Sequence, residues 1–555
     1  MTNEATSSGR DVEQGAVAYD AIVAGAGFGG IRMLAELRRL GLKARVLEAA
    51  PGIGGTWYWN RYPGVRTDTE CWYYCFSFSK EIIAEWTWPE RYADQAGVLA
   101  YLEFVVDRLD LRKDIEVDAR VETAVFDEDT NRWTISTVNG DAYTAKYYIT
   151  ANGLLSAPVP PPYAGVEDFR GDYHVTGTWP HDVGSDFQGK RVAVIGTGAT
   201  AVQAIPVIAH TAAQLTVFQR TATYVIPARN HTIDDAQRRA VHRQYDELWK
   251  RTETHAWALP YEPRMGRVAA DLTAEQQEAI LERCWETGTF RFLFETWDDV
   301  FTNVESNKIV TDFICRKIHA FVDDPATAAA LTPNDHHLGA KRPPLGQFYY
   351  ETFNRDNVTL VDLKDVAIDR IVEEGIRMQD GRVLEFDVLI FATGFDAVTG
   401  ALVRQDIRGV GGQQLAMRWK GGPQTYMSVA VDGFPNMFMV LGPQGPFAIL
   451  TVAIEHIVQF IGTAIEFAER NSIARVEAKE DAVERWCEEV ARAVDVSLAV
   501  RGKKSWLWGA NVPGKAEVVL QYLGGNEVFI KTLRDSVASD FAGFDLASAS
   551  VEAAI

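Results

Sequence analysis

The sequence predicts an α/β protein with two parallel-sheet units and a helical insertion in the second, and three observations carry that expectation. A short apolar strand that runs into a glycine-rich turn and then a helix occurs twice, from Ala21 and again from Arg191. Two later apolar runs, Tyr147–Gly153 and Asp387–Gly394, each close in a small-residue turn where the chain can leave one unit for the other. Between about His231 and Leu331 the pattern reads as helices, and 555 residues exceed what one hydrophobic core carries.

Taken in order, the first strand, Ala21–Ala24, meets Gly25, Gly27 and Gly30, a helix-like stretch runs to Leu40, and a second strand, Lys43–Leu47, ends at Glu48. The same grammar returns where strand Arg191–Ile195 meets Gly196, Gly198 and Ala201, and where strand Leu215–Phe218 ends at Gln219 and Arg220. Pro158–Pro162 reads as a linker. In the helical region Thr273 with Gln276 makes a capping box, and Asp324 before Pro325 makes a helix start. The apolar run Ile449–Phe467 contains Glu455 and His456, which favours a buried helix over a bilayer span.

A glycine turn between strand and helix lets a pyrophosphate reach backbone N–H groups at the positive end of the helix. Gly25, Gly27 and Gly30 have that context, and Glu48 can accept hydrogen bonds from an adenosine ribose. The second unit fits the GxGxxA variant, and the offset from Gly196 to Gln219 equals that from Gly25 to Glu48, 23 residues in each. Where the first unit has a carboxylate, the second has a neutral Gln219 followed by Arg220, which removes repulsion of a 2'-phosphate and supplies its partner. The expectation is therefore two Rossmann-like dinucleotide-binding domains, the first for FAD and the second for NADPH. Residues 19–155 and 387–540 form the FAD domain, 156–230 and 332–386 the NADP domain, and 231–331 the insertion, with disordered tails at 1–18 and 541–555.

Composition narrows the partners. A net charge of -21, from 76 acidic and 55 basic residues, argues against nucleic acid and anionic membrane surfaces. Five cysteines without a CxxC pair indicate neither a disulfide scaffold nor a zinc site, and Cys71 and Cys75 read as packing residues. The first residues lack the basic and apolar stretches of an export signal and no apolar run reaches bilayer length, so a soluble protein is expected, cytoplasmic by its few cysteines, and a monomer with an oligomer left open.

Two dinucleotide sites suit hydride transfer from a nicotinamide to a flavin, and the absence of a redox cysteine pair points to oxygen as the acceptor. GGTWYWNRYPGVRTD, from Gly54 to Asp68, resembles the corresponding segment of type I Baeyer-Villiger monooxygenases. FRGDYHVTGTWP, from Phe169 to Pro180, resembles that family's FxGxxxHxxxWP fingerprint, with Phe169, Gly171, Trp179 and Pro180 in register. Val175 stands at the histidine position, and His174 lies one place early. HHLGAKRPPLGQFYYETFNRDNV from His336, FATGFDAVTG from Phe391 and SWLWGANVPGK from Ser505 extend the likeness to Lys515.

The resemblance implies that NADPH reduces FAD, that oxygen forms a flavin C4a-peroxide, and that this anion attacks a ketone to give an ester or lactone. It implies that Arg342 of the KRPPL motif holds the anion, with Asp68 orienting Arg342. By the same likeness Arg220 and Lys341 meet the 2'-phosphate, Thr221 supports them, and Trp506 lies on the nicotinamide side. The remaining cofactor contacts it implies are Phe28, Gly55, Thr56, Trp57 and Tyr74 for FAD, and Thr197, Ala199, Thr200 and Gln203 for NADP. The rival activities are an N- or S-hydroxylating flavin monooxygenase and a non-catalytic flavin-binding redox sensor. The segment Gly442–Leu450 and the many aromatic residues suggest an apolar substrate pocket.

Overall fold

A computed structural model describes residues 16–261, 265–498 and 505–548. An eight-stranded sheet forms the first unit, in the order Asp406–Arg408, Val121–Asp127, Arg132–Thr137, Ala142–Thr150, Val17–Ala24, Ala44–Leu47 and Ile115–Glu116, with Met437–Met439 also pairing Ala142–Thr150. The second unit is a five-stranded, wholly parallel sheet in the order Val358–Asp362, Gln214–Gln219, Arg191–Ile195, Val388–Phe391 and Asp172–Val175. In each sheet the strand that carries the glycine turn has its sequence successor on one side and a much later strand on the other. The turn therefore opens at the point where strand order reverses, where open parallel sheets bind ligands.

The strands form where the sequence supplies fully apolar runs. Ala21, Ile22 and Val23 are without exposure, as are Val192, Ala193 and Val194. Helix Phe28–Arg39 covers the first sheet, and helix Leu450–Arg470 packs against it, with Arg32 Nε 2.9 Å from Glu455 Oε2. Helix Leu450–Arg470 is long and apolar enough to cross a membrane, yet residues such as Ile457, Ile461 and Ile465 are fully buried in the protein core.

Both helix starts read from the sequence are present. Thr273 and Gln276 cap helix Ala274–Thr287 reciprocally, and the Asp324 carboxylate accepts from Thr327 N at the start of helix Pro325–Leu331. Asp234 and Gln237 form a second capping box, before helix Asp235–Thr254. That helix does not belong to the second unit alone. Its Tyr245 hydroxyl lies 3.0 Å from Cys75 Sγ, and Thr252 O accepts from Asn526 Nδ2 at 3.2 Å, both on the first unit's side. Helix Pro325–Leu331, by contrast, is tied to the second sheet by Gln219 Nε2, which donates to Ala330 O at 2.7 Å. The insertion bridges both units.

Three boundaries shift. Val17 and Ala18, expected in the tail, open the first strand and pair with Tyr143 and Thr144. The run Val388–Phe391, expected in the first unit, pairs Arg191–Ile195 in the second, so the chain crosses after this strand and not before it. Phe544–Ser548, expected in a C-terminal tail, pairs antiparallel with Ile473–Ala478 because Phe541 and Phe544 are buried and anchor it. The rest of the two expected tails, 1–15 and 549–555, lies outside the described residues.

Candidate active site

The two glycine turns have the same construction. Gly25 has φ +106°, and a Cβ there would sit 2.6 Å from Ala151 O; Gly196 has φ +116°, and its Cβ would sit 2.7 Å from Ala392 O. Each turn therefore lies against the segment where the chain crosses between units, and only glycine fits. The helices that follow start at Gly27 and Gly198 without a side-chain cap, which leaves first-turn N–H groups for a ligand.

At the end of strand Ala44–Leu47, Glu48 is 4% exposed and accepts from Ala26 N at 2.6 Å and Ala50 N at 2.8 Å. Burial pushes its carboxyl above the usual range, opposed by those backbone bonds. One carboxylate thus ties the glycine turn to the second strand. In the second unit the equivalent Gln219 side chain is turned inward to Ala330 O, and the exposed position falls to Arg220. Thr197 Oγ1 donates to Thr221 O at 2.9 Å, which fixes the Arg220–Thr221 turn beside the second glycine turn.

A cavity of about 700 Å³ runs between the units, within the range of cofactor sites. Gly25, Gly27, Phe28, Glu48, Gly55, Thr56, Trp57 and Tyr74 line it from the first unit, and Ala199, Thr200 and Gln203 from the second. Trp57 Nε1 donates to Tyr74 Oη at 3.1 Å, and the Tyr74 ring packs edge-on to Phe28 at 5.2 Å. Asp68, Arg342 and Trp506 also line the cavity, and Phe447, Ala448, Ile449 and Leu450 of the 442–450 segment complete an apolar wall with Trp257 and Phe290. Gly30, Gly196, Thr197, Gly198, Arg220, Thr221 and Lys341 stand outside the lining.

Arg342 forms an ion pair through Nη1 with Asp68 Oδ2, and its guanidinium lies 5.3 Å from the centre of the Phe290 ring. The two side chains are 33% and 23% exposed, so both reach the cavity without being solvated as surface groups. Asp68, Phe290 and Arg342, far apart in sequence, are brought together here by loops, Phe290 from the turn between helices Ala274–Thr287 and Arg291–Phe294, with Thr67 N donating to Ala93 O at 2.9 Å behind Asp68.

A model of the family described as pyridine nucleotide-disulphide oxidoreductase matches residues 22–249. The chain is 42% identical over 512 residues to a Baeyer-Villiger monooxygenase of Pseudooceanicola batsensis, covering 91% of this chain and 92% of that one. The chain belongs to the Baeyer-Villiger monooxygenases. A cyclohexanone monooxygenase structure from Rhodococcus sp. Phi1, bound to NADP+, superposes on this family member with a TM-score of 0.94 and 41% identity, covering 96% of this chain and all of the other. Another relative, phenazine N-monooxygenase PhzNO1 of Lysobacter antibioticus, is 42% identical over 96% of this chain and 97% of its own.

For a Baeyer-Villiger monooxygenase the cavity offers what a flavin dinucleotide needs. Besides the glycine turn, Gly55 approaches Gly27 so closely that a Cβ on it would lie 3.0 Å from Gly27 Cα. Three residues of the lining that sequence reasoning missed, Thr67, Asn152 and Gln521, each hold a buried polar atom without a protein hydrogen-bond partner. Such atoms are costly unless a ligand or water satisfies them. The signal for Asn152 was present in the ANG turn at 151–153 and that for Thr67 in the RTD stretch at 66–68; Gln521 carries none. Burial holds the Tyr62 and Tyr74 phenols protonated.

Gln203, expected among the NADP contacts, lines the cavity and also has partners within the protein. On helix Ala199–Thr211, its Oε1 accepts from the Tyr62 hydroxyl at 2.9 Å, and its Nε2 donates to Arg66 O at 3.0 Å. Its amide is thus engaged with the first unit's 62–66 loop, two residues before Asp68. His174 lies on the edge strand Asp172–Val175, its ring 4.9 Å from Trp179, away from the cavity lining. Cys71 and Cys75 are buried packing residues, with Cys71 Sγ 3.1 Å from Glu90 O.

Proposed function

We propose that this enzyme uses NADPH, FAD and O2 to insert one oxygen atom beside the carbonyl of a ketone, giving an ester or lactone. The observation that carries this reading is the Arg342–Asp68 pair in the wall of the cavity between the two nucleotide turns. Bound FAD, once reduced by NADPH, supplies the activated oxygen. Everything else falls to the chain. Gly25, Gly27 and Glu48 hold FAD, while Thr200, Arg220, Lys341 and Trp506 hold NADPH. Arg342 places a guanidinium beside the negative charge that develops during attack. At about 4 Å and an effective dielectric near 20 such a pair is worth roughly 4 kcal/mol.

Asp68 keeps the guanidinium aimed, and Phe290 supports its face. The same guanidinium would also steady negative charge on the oxygen of the attacked ketone. Trp257, Phe290 and Phe447 exclude water from this step. The reading includes a soluble, monomeric, cytoplasmic enzyme whose partners are a small ketone and O2, without nucleic acid or membrane. The test is NADPH oxidation by the yellow purified protein across linear, cyclic and fused-ring ketones, with products separated by gas chromatography. Ketone-dependent ester formation supports it, and NADPH oxidation indifferent to every ketone overturns it. The phenazine N-monooxygenase relative supports a second reading, N-oxygenation of a flat aromatic heterocycle; phenazine N-oxide formed in the same screen without any ester would favour it.

A further inference from the structure

Glu70 lies two residues beyond Asp68 and outside the cavity lining, yet it is only 2% exposed. A carboxylate in such a place is costly unless its oxygens are engaged. Arg91 Nη2 donates to Oε1 at 2.9 Å, from a side chain that is itself 13% exposed. The other oxygen, Oε2, faces the helical insertion and lies 3.4 Å from the Tyr261 hydroxyl. Burial pushes the Tyr261 phenol well above its ordinary range, so its hydrogen is present to donate. Tyr261 Oη is also 3.5 Å from Thr289 Oγ1, and Thr289 is without exposure. Thr289 is fixed in turn, since its Oγ1 accepts from Arg291 N at 3.1 Å and its N donates to Pro227 O at 2.7 Å. The Arg291 guanidinium covers the Tyr261 ring at 4.3 Å.

Three loops meet at this carboxylate, and each carries a residue of the cavity wall beside its anchor. Asp68 precedes Glu70 by two positions, Leu259 precedes Tyr261 by two, and Phe290 follows Thr289 directly; all three line the cavity between the units. Asp68 pairs with Arg342, and the Phe290 ring lies 5.3 Å from the same guanidinium. The two groups that hold Arg342 therefore sit on loops joined through Glu70. We propose that Glu70 is a positioning residue that, through Tyr261 and Thr289, keeps the loops of Asp68 and Phe290 in register around Arg342. Both hydroxyl contacts are long, so breaking the link costs a few-fold in function and not orders of magnitude. The proposal rests on Arg342 holding activated oxygen and not on which ketone is oxidised.

The test uses the FAD-loaded enzyme and Tyr261→Phe, which deletes the hydroxyl and keeps the ring under Arg291. Flavin content and the rate of flavin reduction by NADPH report whether the variant folds and binds its cofactors. Should it lose flavin, Thr289→Val breaks the same link from the other side and takes its place. The expected result is a fall of about threefold to tenfold in ester formed per NADPH, with hydrogen peroxide making up the balance and the reduction rate unchanged. In a Phe290→Leu background the same substitution should have little further effect, because it acts through that ring. Hydrogen peroxide formed from NADPH and O2 without ketone is measured in parallel and should rise several-fold. An unmodified enzyme that makes no ester from any ketone overturns the Baeyer-Villiger reading, while this second measurement still decides the positioning role. Unchanged coupling and peroxide release in a flavin-loaded variant, or a loss that adds in full to that of Phe290→Leu, overturns the proposal.

Discussion

Gln203→Ala separates two roles that the same residue could have. The sequence places Gln203 among the NADP contacts, whereas the structure gives its amide to Tyr62 and Arg66. Removing it leaves the Tyr62 hydroxyl, in a residue 8% exposed, without its acceptor, at a cost of about 1–3 kcal/mol, and deletes the bond to Arg66 O, worth about 1 kcal/mol. A local loss of about 2–4 kcal/mol falls on the loop that positions Asp68. Because 1.4 kcal/mol is a factor of ten, the loop's native arrangement loses a tenfold or larger share of its advantage over others. The measurement is the ratio of ester formed to NADPH consumed, with hydrogen peroxide quantified alongside. A several-fold fall in that ratio, with NADPH dissociation constant changed less than threefold, is expected. Gln203→Glu keeps the acceptor for Tyr62 and loses the donor, so it should fall between. A tenfold weaker NADPH affinity with intact coupling would refute the reasoning and return Gln203 to the nucleotide.

Two further predictions concern cofactor choice and acid stability. Arg220→Ala should raise the Michaelis constant for NADPH at least tenfold while leaving that for NADH nearly unchanged, because the exposed guanidinium is offered to a 2'-phosphate that NADH lacks; equal effects on the two count against it. His456 is half-buried on helix Leu450–Arg470, and desolvation pushes its pKa down to about 4 against the attraction of Glu253 at 3.8 Å. Below pH 6.5 the unfolded chain takes up a proton that the folded chain refuses until about pH 4, so stability is lost as pH falls through that window. Thermal unfolding should show a steeper acid loss in the unmodified protein than in His456→Gln; parallel curves would contradict it.

The parts of the fold that were legible in the sequence are those fixed by local chemistry. Gly25 and Gly196 are demanded by positive φ and by the carbonyls of Ala151 and Ala392, and the caps at Thr273 and Asp324 are set by side chains three residues from their partners. What was not legible depends on contacts distant in sequence. Phe544–Ser548 is a strand only because it meets Ile473–Ala478, and strand Val388–Phe391 joins the second sheet only because Arg191–Ile195 is its neighbour. The site divides in the same way. Arg342 and Asp68 were reached through motif likeness, and the structure joins them; Phe290, which supports the guanidinium, sits in no motif. Gln219 kept its register but not its direction, since the acceptor that turns it inward, Ala330 O, lies in the helical insertion.

The central claim is that the Arg342 guanidinium makes oxygen transfer to a carbonyl possible without being needed to reduce the flavin. Rapid mixing of Arg342→Ala with NADPH under anaerobic conditions, then with oxygenated ketone, tests it in one experiment. The account predicts that the flavin absorbance bleaches, that NADPH is consumed, and that hydrogen peroxide replaces ester. Ester formed at the rate of the unmodified enzyme would contradict it.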